Sequence, residues 1–135
     1  MLDASVALAW FIDTPVPTQA IQVRQAILNG ARAHAPALWH LEMANGIVVA
    51  ERRQIVTADE AVQALKSIEL LVAQAVETHG EIIPIRQALA TARSYSLSAY
   101  DSVYFELARK EQLPIATLDR SLRTAATRAG VEIFR

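Results

Sequence analysis

Apolar residues recur along this chain at spacings that predict mainly helix. Ser98 to Gln112 places Tyr100, Val103, Tyr104, Leu107 and Ala108 at helical intervals, the mark of one buried face. Thr57-Ala-Asp-Glu60 forms a capping box that opens another helix, with Ala61, Leu65, Ile68 and Val72 on its apolar stripe. Thr18 to Asn29 predicts a helix stopped by Gly30, Ile85 to Ser94 a further one, and Arg120 to Ala129 one ended by Gly130. A short helix from about Ala4 ends at the turn-rich Asp13-Thr-Pro-Val-Pro17. Pro36 suits the first turn of a helix that runs to about Arg53.

Between these helices lie short apolar runs: Ala33-His-Ala35, Ala75-Val-Glu-Thr78, Pro114-Ile-Ala-Thr-Leu118 and Val131-Glu-Ile-Phe134. Short strands alternating with helices predict βαβ units, hence an α/β fold with a short, mostly parallel sheet and predominating helices. No repeat, linker or low-complexity tract divides residues 1–135, which read as one domain. In such folds ligands bind beyond the C-terminal ends of the strands. Asp3 and Asp119 follow two predicted strands, and Glu42 and Asp101 stand in the early turns of two helices, so all four can reach one sheet edge.

Composition narrows the class further. With no cysteine there is neither a disulfide framework nor a thiolate metal site. No uncharged apolar run is long enough to cross a bilayer, and no basic segment precedes an apolar leader, so a soluble, cytoplasmic protein is the expectation. The net charge of −1 does not advertise a nucleic-acid binder. From Arg86 onward, however, eight Lys or Arg face five acids, and two of those acids are Asp101 and Asp119. A cationic rim around an acidic centre would suit a phosphodiester, although solvated helix faces explain the same excess.

The acids carry the chemistry. Asp3, Glu42, Asp101 and Asp119 each stand alone in an uncharged, mostly apolar stretch, and an isolated buried carboxylate is costly. Each has a local explanation to be weighed. Asp101 can complete a capping box with Ser98, Asp119 can cap the helix from Arg120, and Asp3 can cap the helix from Ala4 in competition with Ser5. Glu42 lies a full turn past its helix start and is a poor cap. Leu38, Trp39 and Gly46 surround it, and Asn45 on its face is a candidate supporter.

If the four converge, carboxylates about 6 Å apart repel by about 3 kcal/mol per pair at an effective dielectric near 20. A divalent ion would cancel that repulsion. Oxygen ligands favour Mg²⁺ or Mn²⁺. His34, His40 and His79 have no paired spacing, read as surface or packing residues, and make zinc an improbable ligand of this chain.

These residues in this order resemble the PIN-domain ribonucleases, most closely the VapC-type toxins of toxin–antitoxin pairs. The matching pieces are Leu2-Asp3-Ala-Ser5, Pro36 through Glu42-Met-Ala-Asn45, Ser98-Ala-Tyr-Asp101-Ser-Val-Tyr104, and Pro114-Ile-Ala-Thr117-Leu-Asp119. Together they span nearly the whole chain. Only Met1 and Leu2 precede the first Asp, fewer residues than the family generally carries, so either the first strand is very short or the natural chain starts upstream. The resemblance implies a three-layer α/β/α fold and a metal-dependent endoribonuclease. It implies Asp3 and Asp101 as direct ligands of Mg²⁺ or Mn²⁺, Glu42 and Asp119 acting through water or a second ion, and Ser5 and Thr117 supporting by hydrogen bonds. It also implies an RNA substrate, a cognate antitoxin and a homodimer.

The same residues allow two rival functions. A catalytically silent module that grips a partner protein or RNA is disfavoured because the acids are intact. Transfer through an aspartyl phosphate at Asp3 would want a second acid close by and a stabilising lysine. Position 5 is Ser, and the only lysines are Lys66 and Lys110.

Overall fold

A computed structural model describes residues 1–135. Seven helices and two regular strands follow one another as α1 (Ala4–Ile12), α2 (Thr18–Leu28), β1 (Ala33–Pro36), α3 (Leu38–Arg52), α4 (Ala58–Ala75), β2 (Val76–His79), α5 (Ile85–Tyr95), α6 (Ala99–Glu111) and α7 (Arg120–Arg128). The helices start and stop for the local reasons expected. Thr57 and Glu60 exchange both capping-box hydrogen bonds at the start of α4. Gly30 and Gly130, at φ of 99° and 70°, take the left-handed conformation just after α2 and α7. On α4 the buried stripe is Ala61, Ala64 and Ile68, while Leu65 is turned outward. Pro36 ends β1 rather than opening α3.

The β layer is thinner than the sequence predicted. Only β1 and β2 form a ladder, parallel, with His34 opposite Glu77 and Pro36 opposite His79. The runs around Ile115 and Ile133 are single parallel bridges, Leu2 to Ala116 and Ile115 to Ile133. Each partner offers only two or three extended residues, since Ala4 already opens α1, so no ladder can grow. Backbone hydrogen bonds nonetheless tie the segments side by side. Leu2 N–H donates to the His34 carbonyl, Asp3 and Met1 exchange bonds with Ala116, and Ile115 exchanges them with Glu132 and Phe134.

The resulting order runs β2, β1, Met1–Asp3, Ile115–Thr117, then Glu132–Phe134. The first segment of the chain therefore lies centrally, with later segments on both sides. That reversal of order is where parallel α/β sheets open a ligand crevice. Asp3 and Thr117 lie there on adjacent segments, joined by the Asp3 N–H bond to the Ala116 carbonyl at 3.0 Å.

Helices α1 and α3 set the geometry of that crevice because Asp3 precedes one and Glu42 rides on the other. Gly46 allows their close approach. A Cβ at Gly46 would stand 2.4 Å from Leu8 Cδ1, a separation that real side chains do not tolerate. Val6, Trp39, Tyr104 and Phe105 fill the core behind it with no exposed surface. No helix is long and apolar enough to cross a membrane.

Gly46→Ala should therefore lose about 1 kcal/mol net, because overpacking outweighs the gain in helix propensity, and Tm should fall by about 4 °C. Combined with Leu8→Ala, it should cost less than the two single losses added. Thermal melting checks both, and an unchanged midpoint for Gly46→Ala would refute the close approach.

Candidate active site

Asp3 stands at the N-cap position of α1 yet makes no capping hydrogen bond with its side chain. Its Oδ2 instead accepts the Ser5 hydroxyl at 2.5 Å and the Thr117 hydroxyl at 2.6 Å. The residue is 6% exposed. Both hydroxyls are themselves fixed: Ser5 Oγ accepts from Leu118 N–H, and Thr117 Oγ1 accepts from Asp119 N–H, each at 3.0 Å. Two small hydroxyls thus brace one carboxylate oxygen from opposite ends of the chain.

Glu42 is half-buried on α3 and holds Oε2 against the hydroxyl of Tyr104, which donates from α6 at 2.5 Å. Tyr104 is fully buried, and burial together with its bond to Glu42 pushes the phenol far above its ordinary value, so it remains a donor. Asp101 lies one turn earlier on α6. Its N–H donates to Ser98 Oγ at 2.9 Å, as a helix cap requires, while its carboxylate Oδ2 accepts the Ser98 hydroxyl at 2.6 Å. The capping-box explanation is therefore only half realised, because the carboxylate does not take the backbone N–H of Ser98. Asp119 does cap α7, its Oδ1 accepting from Leu122 N–H at 2.8 Å, and is exposed.

A common arrangement emerges. Each acid has one oxygen held by the chain and one with no hydrogen-bond partner in it. Outer donors that orient one oxygen while leaving the other free are the usual surroundings of a carboxylate that ligates metal. Asn45, by contrast, is exposed and makes no hydrogen bond within the chain, so nothing ties it to Glu42.

Charge links three of the four acids: Asp101 acts on Asp3, and both act on Glu42. Asp3 is raised above its ordinary pKa of 3.8, by burial first, with Asp101 adding to the rise and the Ser5 and Thr117 hydroxyls opposing it. Glu42 is raised above 4.5, again by burial first, with Asp3 and Asp101 adding and Tyr104 opposing. No lysine or arginine answers them: the only Lys or Arg ion pair in the molecule is Lys110 with Glu81. Asp119 joins this trio through Thr117 rather than by direct field. No three of the four acids bring one oxygen each within 4.8 Å of one another. The cluster's chemistry, hard oxygens with uncompensated charge, fits a hydrated divalent ion of the Mg²⁺ or Mn²⁺ kind.

Sequence reading overlooked two side chains here. Tyr104 looked like one more apolar position of a helical stripe, yet its hydroxyl reaches Glu42 across 62 residues. In the sequence Arg123 is only one member of a cationic excess. It donates to the Thr117 carbonyl at 2.9 Å and also bonds Gln19, so a fixed guanidinium backs the segment that carries Thr117.

Comparison with known proteins identifies the family. The profile of the PIN domain matches residues 1–127. A protein named Ribonuclease VapC3, from Pyrobaculum aerophilum, is 29% identical over 123 residues, which cover 90% of each chain.

The raised acids set a sign for stability against pH. A carboxyl whose folded pKa lies above its unfolded value stabilises the fold below the unfolded pKa and loses that contribution as pH rises through the folded one. In metal-free protein, Asp3→Asn should therefore be close to neutral near pH 4 and become stabilising relative to the native chain towards pH 7. Denaturant melts across that range check this. A variant that becomes progressively less stable than the native chain as pH rises would contradict it.

Proposed function

The chain belongs to the PIN domain family, and from that premise we propose that it is a Mg²⁺- or Mn²⁺-dependent endoribonuclease, the toxin of a toxin–antitoxin pair. The observation that carries the reading is the trio of Asp3, Glu42 and Asp101: Asp101 adds to the proton affinity of Asp3, both add to that of Glu42, and no basic side chain is paired to any of them. Such an arrangement costs stability unless a cation relieves it. The name of the relative, a ribonuclease, supports RNA as substrate.

In this reading Asp3 and Asp101 would hold the ion directly, and Glu42 and Asp119 would act through water or a second ion. When bound, the ion lowers the pKa of water and neutralises charge that develops on the phosphoryl oxygens. Ser5 and Thr117 hold Asp3 in place, and Tyr104 holds Glu42, so that neither carboxylate has to be ordered when substrate binds. Glu42 takes the proton of the attacking water at Oε1, which its raised pKa favours. Water adds to phosphorus and the P–O3′ bond breaks: the upstream fragment leaves through its 3′ oxygen, which takes a proton from solvent, and the downstream fragment keeps a 5′-phosphate.

The domain is taken to be residues 1–135, acting on RNA and silenced by an antitoxin. Exposed apolar side chains on α3 and α4, including Leu41 at 75% and Leu65 at 53%, support a protein partner or a second copy on that side. Next to them His40, Met43, Ile47, Val48 and Val72 line an apolar cleft of about 480 Å³.

Asp3→Asn and Asp101→Asn should abolish cleavage of RNA while the proteins stay folded by circular dichroism. Glu42→Gln should slow it by about 100-fold or more, and Tyr104→Phe by less. Mapping the product ends checks the chemistry. EDTA-resistant cleavage, or a 2′,3′-cyclic phosphate end, would defeat the proposal.

A further inference from the structure

The tightest grouping of metal-ligand atoms in the molecule is not the acidic quartet. His34 on β1 and Glu77 and His79 on β2 place one donor atom each within 4.8 Å of the others. His34 Nδ1 lies 3.0 Å from His79 Nε2 and 3.9 Å from Glu77 Oε2. Around an ion bound by N and O donors at about 2.0–2.1 Å, tetrahedral ligands sit about 3.4 Å apart, so these separations bracket the edges of such a polyhedron.

The parallel register produces this grouping. His34 is directly opposite Glu77, and His79 is opposite Pro36, two residues beyond His34. Side chains alternate faces along a strand, so all three lie on one face of the ladder. Thr78 falls on the other face, where its hydroxyl meets His40 of α3 at 2.8 Å. Sequence spacing hides the relationship, because 45 residues separate the two histidines.

We propose that His34, Glu77 and His79 form a second metal site, for Zn²⁺ or a cation of like preference, which clips β2 to β1. Two imidazoles and one carboxylate select a borderline transition ion, whereas the hard oxygens of the quartet select Mg²⁺ or Mn²⁺. The site is reachable from solvent, the His34 and Glu77 side chains being 22% and 56% exposed. Burial lowers the pKa of His34, which favours the neutral ring that ligates. The charges acting on that ring come from Glu77, His79, the N-terminus and Glu111, none of them from the quartet. Its role would be structural. Each strand has only four residues and β2 pairs with nothing but β1, so an ion spanning them would fix register where few backbone bonds do.

The test is a calorimetric titration of Zn²⁺ into chelator-treated full-length protein carrying Asp3→Asn and Asp101→Asn, which disables the acidic site. One saturable equivalent and a rise in Tm are expected. Adding His79→Gln or, separately, Glu77→Gln should weaken binding by about 10- to 100-fold or more, since even outer partners of a metal ligand carry effects of that size. Co²⁺ should give the visible d–d absorption of a tetrahedral site in the first protein and lose it in both added variants. The exposed Glu77 is a safe substitution should His79→Gln fold poorly. Absence of saturable binding, or Zn²⁺ and Co²⁺ responses unchanged by Glu77→Gln, would overturn the site and leave an ordinary hydrogen-bonded histidine pair. Neither result bears on RNA cleavage.

Discussion

One constraint organises this molecule: Asp3, Glu42 and Asp101 lie close enough for charge on one to disfavour charge on another, and no positive side chain is paired to any of them. Folding brings Asp3, Glu42 and Asp101 together from α1, α3 and α6, so mutual repulsion opposes the same packing that assembles the core. The chain meets that strain with neutral donors alone. Ser5 and Thr117 hold Asp3, Tyr104 holds Glu42 and Ser98 holds Asp101. Hydroxyls orient a carboxylate without cancelling its charge, and the leftover negative potential is what a divalent cation would recognise.

The fold serves this arrangement. The central position of Met1–Asp3 among the parallel segments places Asp3 at the reversal of strand order, where parallel α/β sheets usually take ligands. Close contact between α1 and α3 at Gly46 and Leu8 sets the distance between two of the acid-bearing elements. Helix α6 delivers both Asp101 and the Tyr104 that steadies Glu42, so one element supplies a charge and the brace for another. Arg123 and Gln19 tie α7 and α2 to the Thr117 segment from behind.

Much of this was legible in the sequence because a lone acid in an apolar run has few explanations. Helices announced themselves through period and caps, and most were placed to within a residue or two, as with α4 and its Thr57–Glu60 box. What stayed hidden depended on contacts distant along the chain. Tyr104 is indistinguishable from a core residue until α3 packs against it, and the pairing of His34 with His79 exists only in the register of β1 and β2. The sheet was overestimated for a related reason: apolar composition marks a segment as extended and buried, but ladder length depends on how soon each neighbour turns away. Local rules also left Asp119 ambiguous. It caps α7 with one oxygen and keeps the other free, so the structural and functional explanations both hold.

The most direct test of the account is anomalous diffraction from crystals of the protein soaked in Mn²⁺. A peak between Asp3, Glu42 and Asp101, lost in Asp101→Asn crystals, is the predicted result. A saturated soak with no density there, or with Mn²⁺ bound only elsewhere, would contradict the claim that these carboxylates are gathered to hold a cation.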